Sequence, residues 1–177
     1  VRIVVSGTHA SGKSTLISDF HAAHPEYTVL GDPFDDVESG APTGAASFVV
    51  QLRVTVSRLR ESARESSVIS ERGPVDFLAY LTALEMLGRG DGALLSRAQE
   101  LVETSMAHID LIAVVPLDLR HPIDVPDDED PALREAMESA LLDALDDLER
   151  AGDAPPIVTL TGNPQERLAQ LERAAGL

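Results

Sequence analysis

The chain has 177 residues, 44% of them hydrophobic, which is enough for one domain with a substantial core. It has no cysteine, so disulfides and thiolate-bound zinc are excluded. An aromatic content of 3% and a net charge of -16 argue against a nucleic acid or an anionic membrane as partner.

Arg2 to Ser6 reads as a short β-branched strand, followed by a glycine loop over Gly7 to Ser14 and a helix to about His24. Pro25 closes that helix, and Tyr27 to Leu30 forms a second strand ending in Gly31-Asp32-Pro33. Asp35 to Gly44 is rich in turn formers and reads as a loop. Phe48, Leu52, Val56, Leu59 and Ala63 recur at helical spacing and predict a helix over Ala45 to Ser66. Ser67 to Ser70 is a buried-type strand that ends in Glu71-Arg72-Gly73-Pro74. Helices over Val75 to Leu87 and Ala93 to His108 flank a glycine turn, and Leu111 to Val115 is the fourth strand. Asp118 to Glu149 carries twelve acids against Arg120 and Arg134. Its proline-punctuated first half has no periodicity, while Leu133, Met137, Leu141, Leu145 and Leu148 predict a helix through Arg150. Ile157 to Leu160 is the last strand, and Asn163, Pro164 and Glu166 form the start signal of a final helix.

Short, apolar, non-alternating strands that alternate with helices predict an α/β fold: a five-stranded parallel sheet with helices on both faces. Ligands in such sheets bind at the carboxyl ends of the strands, so the loops after the first three strands should meet. No run of about 18 apolar residues suits a membrane helix, and the first residues do not form a signal peptide, so a cytoplasmic protein is expected.

Gly7-Thr8-His9-Ala10-Ser11-Gly12-Lys13-Ser14 matches the Walker A pattern in its required setting, a strand before and a helix after. Its glycines let successive N–H groups turn toward a phosphate, at a helix amino end that carries partial positive charge. Lys13 would neutralise β- and γ-phosphate oxygens, Ser14 would ligate Mg2+, and Thr15 would complete the ATP-binding run. His9 reads as solvent-facing. Lys13 is the one lysine among fourteen basic residues, where average composition gives roughly ten. The survivor stands where a compact ammonium between phosphates is hardest to replace by guanidinium.

An Asn-Lys-x-Asp motif, by which guanine-specific GTPases resemble one another, cannot occur here because the only lysine is already used. Glu71-Arg72-Gly73 resembles the acid-arginine signature of nucleoside and nucleotide kinases, and Asp32-Pro33 is similar to the Glu-Pro of the deoxynucleoside kinases. Gln51 and Arg58, on the helix that begins near Ala45, resemble that family's nucleobase-reading pair in spacing. The run from Arg72 to Tyr80 looks closer still to small bacterial ATP-binding proteins related to the nicotinamide riboside kinase domain. The resemblance extends over the chain and implies one P-loop kinase-like domain at 1–177, a three-layer P-loop NTPase fold, with a lid at about 117–131. It departs from the pattern where aspartate replaces glutamate at Asp32, where Gly73 replaces a serine, and where Arg120 and Arg134 stand far apart.

The resemblance implies an ATP-dependent transfer of the γ-phosphate to a hydroxyl of a small nucleoside-like or other metabolite acceptor. Glu71 would help hold Mg2+, Asp32 would accept the acceptor's proton, and Arg72 and Arg120 would grip phosphate oxygens. Gln51 and Arg58 would contact the acceptor. The competing reading of Arg72 is an ion pair with Asp76 or Glu71. Arg53, Arg60 and Arg64 share one helix face and are expected to pair with the chain's acids, and Phe48, Phe77 and Tyr80 are expected in the core. A small-molecule substrate is the expected partner, and a homodimer is compatible with the sequence. The alternative function is a regulatory nucleotide-binding ATPase or GTPase with no small-molecule acceptor.

Overall fold

The computed structural model describes residues 1–36, 44–62, 65, 67–117, 130–152 and 154–177. Five strands, β1 (Arg2–Ser6), β2 (Thr28–Leu30), β3 (Val68–Glu71), β4 (Leu111–Val114) and β5 (Ile157–Thr159), form one sheet in the order β2-β3-β1-β4-β5. Every neighbouring pair is parallel. Among the described residues there are six α-helices: α1 (Lys13–Ala23), α2 (Ala45–Glu61), α3 (Pro74–Met86), α4 (Gly92–Ser105), α5 (Pro131–Ala151) and α6 (Pro164–Ala175).

The pleat of the central strands explains the three layers. Successive side chains of a strand point to opposite faces. Val4, Ile112 and Val114 therefore join the core under α2, α3, α4 and α5, which includes Leu52, Phe77, Leu84, Met137 and Leu141. Ile3, Val5, Leu111 and Ala113 join the other core, with Leu16, Ile17 and Phe20 of α1 and Leu171 of α6. A strand covered on both faces has no polar side to show, which is why β1, β3 and β4 read as apolar runs rather than alternating ones. The edge strands β2 and β5 are the more exposed.

The expected elements are all present, with ends displaced by a few residues. The helix expected to reach Ser66 closes at Glu61, and Arg64 lies outside the described residues. The expected loop after β2 begins with a short 3-10 helix, Pro33–Asp36, opened by Asp32, whose Oδ1 accepts the Phe34 N–H at 3.0 Å. The last turn of the expected helix ending at His108 is also 3-10, Met106–His108. Most of the expected lid, with Arg120, lies outside the described residues. Among the described residues no helix is long and apolar enough to cross a membrane.

Candidate nucleotide and acceptor site

The sheet order reverses at β1: α1 leads away to β2 at one edge, and β4 lies on the other side. The carboxyl ends of β1 and β3 therefore open onto the crevice where parallel sheets take ligands. The glycine loop leaves β1 there. Gly7 has φ +156°, and a Cβ on it would stand 2.5 Å from the Val115 carbonyl oxygen and 2.7 Å from Ser11 Oγ, so no side chain fits. Gly12, at φ +97°, caps the start of α1 in the left-handed region.

Lys13 is nearly wholly buried and folds back over the loop, its Nζ donating to the Thr8 carbonyl at 2.8 Å. Burial lowers its pKa to about 8, aided by repulsion from Arg72 and opposed by Asp76, Glu71 and Asp32. The hydroxyls of Thr8 and Ser11 are buried without a hydrogen-bond partner. A loop with an enclosed ammonium and two unspent hydroxyls is chemically incomplete, and it fits an anionic phosphate chain. Ser14 Oγ donates to Glu71 Oε1 at 2.7 Å, which brings together the two oxygens expected to hold Mg2+. Both are oxygen donors of the kind that magnesium takes. His9 and Thr15 are exposed.

The loop is gripped from outside by two arginines. Arg134, in the first turn of α5, donates from Nε to the His9 carbonyl at 3.0 Å and from Nη2 to the Ala10 carbonyl at 3.5 Å. Arg167 of α6 donates from Nη1 to the Ser11 carbonyl at 3.0 Å. Holding three successive carbonyls outward leaves the N–H side of the loop facing inward.

Beneath the loop lies Asp76, fully buried near the start of α3. Its Oδ1 accepts the Gly7 N–H at 2.9 Å, and its Oδ2 accepts Ser6 Oγ and the Gly73 N–H, both at 2.8 Å. Burial raises its pKa, opposed by Arg72 and by these three donors. Asp76 thus ties β1, the loop and α3 into one unit, a role that sequence reasoning missed. Its place three residues after the N-cap Gly73 was the available signal; the sequence alone offers Asp76 only as an ion-pair partner of Arg72.

Arg72 is the largest fully buried side chain among the described residues. Its backbone has φ +65°, a left-handed conformation that non-glycine residues seldom take, and Ser70 Oγ donates to its carbonyl at 3.0 Å. The turned backbone carries the guanidinium under the site rather than along the strand. There Nε donates to Asp32 Oδ2 at 2.8 Å, and Nη1 donates to the Gly7 carbonyl at 3.1 Å. Phe34 and Tyr80 stack against it, with ring centroids 5.1 and 5.6 Å away. Burial opposes its charge, but Tyr80, Asp32 and Asp76 outweigh burial and raise its pKa above the ordinary value. Of the rival expectations for Arg72, an ion pair to Asp76 or Glu71 is corrected: the hydrogen-bonded carboxylate is Asp32.

Asp32, expected at the acceptor, thus stands at the edge of the same crevice, one guanidinium from the loop. Gln51 is buried in α2, and Arg58 Nη1 reaches the Gly31 carbonyl at 3.2 Å, which sets both on the side of Asp32. Phe48, Phe77 and Tyr80 are core residues, as expected. With Phe34 they form one aromatic cluster, in which Phe48 and Tyr80 stack at 4.5 Å. Arg53 and Arg60, expected to pair with acids, have no ion pair among the described residues. Both stand on the exposed side of α2. Among the described residues no cluster of three His, Asp or Glu side chains suits a metal ion by itself.

The family model of the AAA domain matches residues 2–167. The chain belongs to this AAA domain family. No curated protein matches it. Solved structures share the fold of this AAA domain at low identity. Deoxyadenosine kinase from M. mycoides, described with products dCMP and a flexible dCDP, has a TM-score of 0.77 at 10% identity, covering 99% of each chain. NadR, in complex with NAD and AMP-PNP, has a TM-score of 0.70 at 14% identity, over 99% of this chain and 49% of that one. Thymidylate kinase from Candida albicans has a TM-score of 0.60 at 15% identity, over 97% and 89%. The α/β P-loop fold with strand order 2-3-1-4-5 is that of the nucleoside kinases.

Proposed function

We propose that this AAA domain is an ATP-dependent phosphotransferase that moves a γ-phosphate to a hydroxyl of a small nucleoside-like or other metabolite acceptor. The observation that carries the reading is the chain of contacts Asp32, Arg72, Gly7. It holds a partly exposed carboxylate at a set distance from the phosphate loop, as an acceptor base requires and a nucleotide switch does not.

The loop N–H groups and Lys13 bind the phosphates, and Lys13 leaves the Thr8 carbonyl to do so. Ser14 and Glu71 would hold Mg2+, which supplies positive charge to the phosphate oxygens. Asp32 orients the acceptor hydroxyl, whose oxygen bonds to the γ-phosphorus as the bond to the ADP oxygen breaks. The hydroxyl proton passes to the Asp32 carboxylate. Arg72 keeps that carboxylate in place and supplies charge from below, where burial shields it from water. Arg120 would supply a further guanidinium, and Gln51 and Arg58 would contact the acceptor.

The test is ADP release over a panel of nucleosides, nicotinamide riboside, sugars and hydroxylated antibiotics, with wild type, Asp32→Asn and Lys13→Ala. An acceptor should raise wild-type turnover above basal hydrolysis, and Asp32→Asn should abolish the increase. If no acceptor does so and Asp32→Asn leaves basal hydrolysis intact, the reading fails and the regulatory ATPase or GTPase takes its place.

A further inference from the structure

Helix α2 buries six side chains, and two of them are polar, Gln51 and Thr55. Neither spends its polar group on the protein. The Gln51 amide makes no hydrogen bond among the described residues, and the Thr55 hydroxyl is sealed from solvent without a partner. A hydroxyl in a helix ordinarily donates to a carbonyl three or four residues back, as Ser96, Thr104 and Ser105 do here at 3.0, 3.0 and 2.7 Å. Thr55 forgoes that bond, to the Gln51 or the Leu52 carbonyl, and a buried polar atom left unpaired costs stability.

The helical repeat places this hydroxyl at a seam. Gln51 and Arg58, four residues before and three after, flank Thr55 on one side, and Leu52 and Leu59 flank it on the other. Leu52 and Leu59 belong to the core, whereas Arg58 reaches the Gly31 carbonyl at 3.2 Å, next to Asp32. The polar row therefore borders the crevice on the Asp32 side. Side chains of a helix lean toward its amino end, so Thr55 leans toward Gln51, one turn earlier. Arg58 is already engaged, which leaves the Gln51 amide as the open neighbour in the row.

We propose that Thr55 is a positioning residue for the phosphate acceptor and acts through Gln51: when the acceptor's polar edge meets the Gln51 amide, the Thr55 hydroxyl pairs with the part of that amide that faces back along the helix. The inference rests on the phosphotransferase reading. An amide has two N–H donors and a carbonyl with two lone pairs, so one of each serves a flat acceptor edge with donor and acceptor side by side. One donor and one lone pair then remain. A hydroxyl both donates and accepts, so it can serve whichever of them the bound amide turns toward it. Because the hydroxyl is unpaired before the acceptor arrives, the gain from pairing it appears in acceptor affinity.

Initial rates with ATP and an acceptor found by ADP release test this, with Thr55→Val, Thr55→Ser, Gln51→Leu and the double variant Gln51→Leu/Thr55→Val. Thr55→Val keeps the shape and removes the hydroxyl. It should raise the acceptor KM about threefold to tenfold, with kcat and the KM for ATP within about twofold of wild type. Thr55→Ser keeps the hydroxyl and should stay within about twofold of wild type throughout. In the Gln51→Leu background Thr55→Val should add nothing, because the hydroxyl has no amide left to hold. Without acceptor, Thr55→Val should keep its Tm or raise it by up to about 4 °C, since it removes an unpaired buried atom. A merely structural threonine gives the reverse, a lower Tm with an unchanged KM. An unchanged acceptor KM in Thr55→Val, an effect of equal size in the Gln51→Leu background, or a Tm lowered by more than about 2 °C would overturn the proposal. Wild type that transfers phosphate to no acceptor overturns the phosphotransferase reading and this inference with it, whereas transfer that ignores Thr55 overturns this inference alone.

Discussion

Asp76→Ala tests whether the phosphate loop is held from below. The substitution leaves three buried donors without an acceptor: the Gly7 N–H, the Gly73 N–H and Ser6 Oγ. An orphaned buried donor costs about 1–3 kcal/mol. Removing the carboxylate also removes its own desolvation cost, so the sum falls at the lower end, roughly 3–5 kcal/mol. That is a large share of the roughly 5–15 kcal/mol that stabilises a typical domain. At about 2–4 °C per kcal/mol for a domain of this size, Tm drops by roughly 6–20 °C. Asp76→Asn separates shape from charge. Its oxygen, placed where Oδ2 stands, still serves Ser6 and Gly73, while its amide meets the Gly7 N–H donor to donor. It should lose about 1–3 kcal/mol and weaken nucleotide binding more than its stability loss suggests, because the misplaced donor is in the loop. Urea unfolding and calorimetric ATP titration read both effects. The two variants also differ from wild type in pH dependence. Asp76 has a raised pKa in the folded chain, so between 3.8 and that raised value the native state binds more protons than the unfolded state. Its contribution to stability therefore falls as pH rises through that window, and both variants should lack this slope. A loss under 1 kcal/mol for Asp76→Ala, with unchanged ATP affinity, would refute the assignment.

Lys13 has a pKa of about 8 in the unliganded chain, and bound phosphate should raise it. Nucleotide affinity should therefore hold below pH 8 and fall above it by up to about tenfold per unit, with proton uptake on binding near pH 8.5. Calorimetry in buffers of different ionisation enthalpy measures that uptake, and Lys13→Ala should abolish it. Gly73→Ala would set a Cβ 2.4 Å from Val4 Cγ1 and should cost about 1–3 kcal/mol by overpacking, read by thermal unfolding. A neutral Gly73→Ala would show that β1 and α3 adjust freely at this point. Arg134→Ala frees the His9 and Ala10 carbonyls and should weaken ATP binding about fivefold to tenfold with little change in Tm, because Arg134 is at the surface end of α5.

Local chemistry made part of this protein legible in its sequence. A strand buried on both faces must be apolar along its whole length, and an amphipathic helix must repeat its apolar residues every three or four positions, so β1, β3, β4, α2 and α5 declared themselves. The phosphate loop is contiguous, so Gly7 to Ser14 carried both the geometry and the chemistry of the site, down to the one lysine of the chain. The acid-arginine pair Glu71-Arg72 was equally visible, because it ends a strand. What each side chain touches was decided by tertiary structure. Arg72 reaches Asp32 across 40 residues of chain, Asp76 reaches Gly7 across 69, Arg134 reaches His9 across 125 and Arg167 reaches Ser11 across 156. Spacing along the chain contains no trace of such contacts, since they follow from strand order and from where each helix begins above the sheet. The left-handed backbone at Arg72 belongs to the same class: it turns a side chain expected to face the phosphates into one buried beneath them. The sequence thus pointed to a held phosphate chain with Asp32 beside it, and tertiary structure decided which side chains fix that carboxylate and the loop in place.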